Sequence, residues 1–247
     1  MSQHPAVTVG IIYPDHAAED EYEFAAGLVG AVFPVTHIYG TDLHAVPELL
    51  DLGSPAKLAD GAQQLVGTRP DSVVWACTSG SFVYGPDGAR AQADGVSEAA
   101  GGVPASSTSF AFVDALQALE ITRVAVAASY PVEVGELFVE FLAHSGVEVV
   151  SFGGAGIETA AQVGTLTPGE VLELAAANDS PEAGAILVPD TAMHTLRIVR
   201  ELEKQAGKPV LTANQVTVWQ GLRLAGYTVM RPELGTLFEE GTHHGAR

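Results

Sequence analysis

The sequence predicts an α/β fold in two pseudo-symmetric halves, each a parallel sheet flanked by helices, with the active site in the cleft between them. Three observations lead there. Short apolar runs alternate with longer helix-compatible segments, the order of parallel strands joined by crossover helices. The runs are almost wholly apolar, as strands buried on both faces require. The second set of runs also repeats the first in the same order.

The strands of the first set are expected at Val7–Tyr13, Phe33–Tyr39, Ser72–Cys77 and Val103–Ser106. Those of the second are expected at Arg123–Ala128, Glu148–Phe152, Ala185–Pro189 and Pro209–Ala213. Helices are expected between them at Ser54–Leu65, Phe110–Leu119, Val132–Ser145, Pro168–Ala177 and Thr191–Ala206. Thr167-Pro168-Gly169-Glu170 reads as a helix start, with a capping hydroxyl, Pro in the first turn and Glu three residues on. In the repeat, VTVGIIYPD falls opposite RVAVAASYP, VVWACTSGS opposite AILVPDTAM, and VPASST opposite KPVLTAN. With that pair shifted by one residue, Cys77-Thr78 falls opposite Asp190-Thr191, each at the carboxyl end of a third strand. A last helix over Gln215–Tyr227 is expected to return to the first half. The division is 1–112 for the first half, completed by 214–247, and 113–213 for the second.

Composition sets limits on function. Hydrophobic residues are 47% of the chain and charged residues 17%, enough apolar surface to order a core. No apolar run approaches the roughly 20 residues of a membrane span. The start, MSQHPAVTVGIIYP, lacks the basic n-region and cleavage site of a signal peptide, so a cytoplasmic location is expected. A net charge of −19 argues against nucleic acid, whose phosphates need clustered Lys and Arg. A nest of backbone N–H groups can still hold a small carboxylate in an acidic protein. The single cysteine excludes an intramolecular disulfide and a multi-cysteine metal site.

Ligands of open parallel sheets bind beyond the carboxyl ends of the strands. That rule selects Tyr13-Pro14-Asp15-His16, Cys77-Thr78-Ser79-Gly80-Ser81, Ser129-Tyr130-Pro131, Gly153–Glu158 and Asp190-Thr191. A thiol at a strand-to-helix turn can be acidified by the N–H groups that follow, and Cys77 is then expected to alkylate faster than a free thiol. Thr78, Ser79 and Ser81 add hydroxyl donors. Taken by their own segments alone, Cys77 reads more readily as an inert buried cysteine and Asp190 as the N-cap of Thr191–Ala206. Tyr130 is either core packing or a hydroxyl aimed into the cleft. His16 and His194 read as surface or supporting residues, although His194 could share a helix face with Asp190. His243 and His244 read as a frayed tail. Gly153-Gly154-Ala155-Gly156 lacks the spacing of a dinucleotide fingerprint.

Taken together, GIIYPD, VVWACTSGSF, VAVAASYPVEVGELFVEFLAHSGVEVV, GIETAAQVGTLTP and AILVPDTAMHTLRIVRELEKQAGKPVLTANQVTVWQGLRLAGY carry a resemblance that runs from Val7 to Tyr227. They resemble the maleate cis–trans isomerase and arylmalonate decarboxylase branch of the aspartate/glutamate racemase superfamily. The resemblance implies two flavodoxin-like halves, no cofactor, and proton transfer at a carbon next to a carboxylate. It implies Cys77 as nucleophile or base, and Thr78, Ser79 and Tyr130 as holders of a substrate carboxylate. It also implies Pro14 in the pocket wall, and Thr191, the counterpart of Thr78 in the repeat, is expected with Pro14 to bind substrate. Two departures stand out. Asp190 replaces the second cysteine, the proton donor of the decarboxylases, and a P-S-S-N asparagine is replaced by Ala17, which has no amide to offer. The expected activity is maleate isomerase-like turnover of a small carboxylate or dicarboxylate, with Cys77 and Asp190 as catalytic groups. The alternatives are an arylmalonate-type decarboxylase, a cysteine hydrolase, or a carboxylate-binding protein without turnover. No metal, nucleic acid or membrane partner is expected, and homo-oligomer formation is left open.

Overall fold

The computed structural model describes residues 7–14 and 17–239. Asp15, His16 and the tail with His243 and His244 lie outside the described residues. Two four-stranded, all-parallel sheets carry the fold. The first has strands β1 (Val9–Pro14), β2 (Val35–Ile38), β3 (Ser72–Trp75) and β4 (Ala105–Ser107) in the order β2-β1-β3-β4. The second has β5 (Arg123–Ala128), β6 (Glu148–Gly154), β7 (Ala185–Val188) and β8 (Val210–Thr212) in the order β6-β5-β7-β8. The two orders are the same, so β3 and β7 hold equivalent places, as the internal repeat requires. The strands are apolar for the reason the sequence suggested. All four residues of β3 and of β7 are buried, as strands covered on both faces are.

Helix starts follow local chemistry. Thr167 and Glu170 close a reciprocal capping box with Pro168 in the first turn of the helix Pro168–Asn178. Thr212 and Gln215 form a second box at the helix Ala213–Leu224. That last helix lies against the first sheet, where Ser72 Oγ donates to Gly221 O at 2.7 Å.

A single apolar cluster spans both halves. At its centre the rings of Phe82 and Phe112 stand 5.3 and 5.5 Å from that of Phe138. Each such ring contributes about 2 kcal/mol by burial. Phe82 closes the short helix Ser79–Phe82 that follows Cys77, so this packing ties the thiol's turn to the opposite half.

One expected element is shorter than its sequence indicates. The helix predicted over Thr191–Ala206 begins only at Val199. Residues 190–198 are turn and coil because the first half captures their backbone groups. Glu21 Oε1 accepts from Thr195 N and Leu196 N, each at 2.7 Å. Thr191 O accepts from Tyr13 Oη at 2.9 Å and from Asn214 Nδ2 at 3.1 Å. Groups engaged this way cannot also build an i to i−4 ladder.

Candidate active site

Strand β3 ends at Trp75, and the chain turns at Cys77 into the helix Ser79–Phe82. Gly80 N donates to Cys77 Sγ at 3.2 Å, and Ser79 Oγ lies 3.7 Å from the sulfur. The turn needs glycine at position 80. A Cβ there would sit 3.0 Å from the Trp75 ring and 3.1 Å from Sγ, crowding the N–H away from the thiol. Gln92 Nε2 steadies the turn from behind, donating to Gly80 O at 2.9 Å and Gly53 O at 2.8 Å.

The expected acidification of the thiol is overturned. Burial pushes Cys77 up to about 11 from an ordinary 9. The Gly80 N–H and the Ser79 hydroxyl pull it back in part, while the Asp190 carboxylate adds to the rise. The following helix has only four residues, too few for a strong N-terminal field, and desolvation of the anion wins. The resting thiol is therefore protonated at neutral pH.

Asp190 occupies the equivalent turn after β7. It caps a turn rather than the expected helix: Oδ1 accepts from Ala192 N at 2.9 Å, and Met193 N returns to Asp190 O at 3.3 Å. Oδ2 accepts a short hydrogen bond from the Ser129 hydroxyl at the end of β5. His194 shares no helix face with Asp190. It reaches Asp20 Oδ1 on the surface at 3.0 Å instead.

Cys77 and Asp190 line one cavity of about 180 Å³ between the halves. Pro14, Ser79 and Thr191 line it with them, as does Tyr13, whose hydroxyl accepts from Ala18 N and donates to Thr191 O. Burial raises the Tyr13 phenol well above its ordinary value, so it stays neutral as a donor. Leu43, Leu49 and Leu52 form an apolar wall. Among the described residues that line the cavity there is no Lys or Arg. Residues 40–44 line one side of the cavity and pair with the second half. Leu43 bridges Thr159, His44 N donates to Glu158 O at 2.7 Å, and Ala160 N donates to Asp42 O at 2.9 Å.

Thr78 and Tyr130 stand behind the wall rather than in it. Tyr130 Oη donates to Pro189 O at 2.7 Å, and burial raises its pKa far above the ordinary value. The Thr78 hydroxyl is near enough to favour the phenolate of Tyr130. It is buried, yet makes no hydrogen bond of normal geometry among the described residues.

The sequence reading omitted His44, which is 6% exposed and lines the cavity. Its Nε2 lies 3.7 Å from Asp190 Oδ2, and its ring meets that of Tyr130 edge-on at 4.9 Å. A signal was present, since His44 follows the carboxyl end of β2, where ligands of such sheets bind.

Comparison with known proteins follows the same lines. Residues 55–238 match the family model described as arylmalonate decarboxylase. An arylmalonate decarboxylase from Bordetella bronchiseptica is 31% identical over 97% of this chain and 100% of its own. A maleate isomerase from Geobacillus stearothermophilus is 25% identical over 71% of this chain and 72% of its own. In fold, the chain superposes on a Nocardia farcinica maleate cis–trans isomerase with a TM-score of 0.86 and 22% identity, covering 95% of this chain and 98% of that one. That structure is of a cysteine-to-serine variant holding a covalently bound succinylcysteine intermediate.

Proposed function

The chain belongs to the arylmalonate decarboxylase family, and from that premise we propose a cytoplasmic, cofactor-independent enzyme acting on a small carboxylate or dicarboxylate. Its chemistry is maleate cis–trans isomerase-like, with Cys77 as nucleophile and Asp190 as the group that takes and returns a proton. The observation that carries this reading is the meeting of the chain's one thiol with a buried carboxylate of the opposite half in a single cavity.

The resting thiol is neutral, so addition requires its proton to leave first, and Asp190 is the acceptor across the cavity. The sulfur then bonds to one alkene carbon, and the π pair moves onto the neighbouring carboxylate as an enediolate. The former double bond is now single and rotates. Expulsion of the sulfur restores the alkene in the other geometry, and the proton returns to the thiolate. Ser79 Oγ, beside the sulfur, is a hydroxyl on the cavity wall able to meet the enediolate. The succinylcysteine of the Nocardia farcinica protein has the same sulfur–carbon bond and carries in addition a proton on the neighbouring carbon.

Two observations favour a second reading, decarboxylation of a substituted malonate. A protonated thiol is ready to deliver a proton to a carbanion, and the leucine wall suits an apolar substituent better than a second carboxylate. Proton NMR in deuterium oxide with maleate and an α-aryl malonate separates the two. Isomerisation yields fumarate without gas. Decarboxylation releases carbon dioxide and places one deuteron at the α-carbon. Cys77→Ser should lower either rate by several orders of magnitude. A wild-type protein that turns over neither compound, or a Cys77→Ser protein as fast as the wild type, would refute the proposal.

A further inference from the structure

His44 and Asp190 meet in a way that fixes where the hydrogens are. His44 Nδ1 lies 3.0 Å from Ile157 O, and a carbonyl can only accept, so Nδ1 carries a hydrogen. Nε2 then faces Asp190 Oδ2 at 3.7 Å, with both side chains about 95% buried. Were Nε2 bare, its lone pair would confront a carboxylate inside the cavity. Both Asp190 oxygens already receive a donor, Oδ1 from Ala192 N–H and Oδ2 from the Ser129 hydroxyl.

The charge count points the same way. Cys77 and the phenols of Tyr13 and Tyr130 are neutral, and the lining residues include the carboxylates Asp42 and Asp190 but no Lys or Arg among those described. The exposed Glu158 adds a further negative group where residues 40–44 pair with the second half. A carboxylate substrate would meet these negative groups, and a cation on the wall would offset them. His44 is the lining residue able to be one.

We propose that His44 is the charge partner of Asp190, holding a proton on Nε2 as well as Nδ1, and that the resulting imidazolium–carboxylate pair admits an anionic substrate to the cavity. His44 acts here as a positioning residue, through Asp190. The pairing itself is independent of the reaction assigned above, whereas its consequence for substrate entry rests on that assignment.

The test is ¹⁵N NMR of the histidine-labelled full-length protein at pH 7, with the His44 signals identified by their loss in His44→Gln. Both ring nitrogens should give protonated shifts in the wild type. In Asp190→Asn the Nε2 signal should move to the unprotonated range while Nδ1 keeps its hydrogen. An unprotonated Nε2 in the wild type, or identical signals in the two proteins, would overturn the pairing. The wild-type spectrum decides alone if Asp190→Asn does not fold. With whichever substrate the assay identifies, His44→Gln should raise KM at least tenfold and change kcat less. An unchanged KM would overturn the role in substrate entry. A protein that shows the paired spectrum but no turnover would instead sink the assigned reaction and leave the pair standing.

Discussion

Titrating the reactivity of Cys77 tests the balance of forces at the site directly. Cys77 is the only cysteine, so every iodoacetamide adduct seen by intact mass reports this one position. Alkylation proceeds through the thiolate, and burial pushes the thiol up to about 11 from an ordinary 9. At pH 7 that leaves roughly one thiol in ten thousand ionised, where an ordinary one would have about one in a hundred. Absolute rates also reflect access to the cavity, so the shape of the pH profile is the readout. The rate should climb about tenfold per pH unit well past 9 and level off only near 11. Asp190→Asn removes one contribution to the rise, yet leaves the larger one, desolvation, in place. Its midpoint should therefore fall without reaching 9. A wild-type profile that levels off at or below 9 would show that the Gly80 and Ser79 donors outweigh burial, and would restore an acidified resting thiolate.

Two further predictions address the framework around the site. Glu21 is buried, and desolvation raises it to about 7 from an ordinary 4.5, against the pull of Asn214 and the Leu196 and Thr195 N–H groups. The folded chain therefore holds this proton more tightly than the unfolded chain, so the contribution is complete below about 4.5 and is lost as pH rises to 7. That shift corresponds to about 3 kcal/mol. Urea unfolding at pH 5 and pH 8 should show Glu21→Gln losing most of that difference, and equal pH dependence in the two proteins would refute the assignment. Gly221 lies where the last helix meets the first sheet, and a Cβ there would fall 2.3 Å from Val9 Cγ1 and 3.3 Å from Val74 Cγ2. Overpacking of about 1–3 kcal/mol should exceed the gain of about 1 kcal/mol in helix propensity, so Gly221→Ala should unfold at lower urea. A variant as stable as the wild type would show that the helix does not pack this tightly.

What the sequence revealed was local. The strands could be read because their residues are apolar on both faces, and the repeat because equivalent strands keep equivalent turns. The cap at Thr167 needs only its own four residues. What stayed hidden depends on partners distant in the chain. Residues 191–198 have a helical pattern, but Glu21, more than 170 positions away, takes the N–H groups of Thr195 and Leu196. His44 looks like an ordinary loop histidine until Ile157 and Asp190 close around it. The helix-end argument for an acidic Cys77 failed because the following helix is four residues long and the sulfur is buried, and neither fact is written near position 77. Tyr130 was expected to hold substrate, yet its hydroxyl is engaged by the Pro189 carbonyl.

The repeat makes the two sides of the cavity equivalent in backbone while the side chains make them different in chemistry. After β3 stands a soft, neutral thiol, and after β7 a hard carboxylate held by Ser129 and the Ala192 N–H. Only sulfur among these groups is a good nucleophile toward an alkene, so covalent chemistry is confined to the first-half side. The carboxylate can move a proton but carries a charge that the substrate shares. That charge would be a liability in a cavity without Lys or Arg among its described lining residues. Placing an imidazole against it meets the difficulty without a fixed cation on the substrate side. Backbone pairs between residues 40–44 and 158–160, with the Ile157 carbonyl at Nδ1, hold that imidazole in place. The segment so held both lines the cavity and carries His44 to Asp190, so the cavity wall and its charge balance come from a single piece of chain.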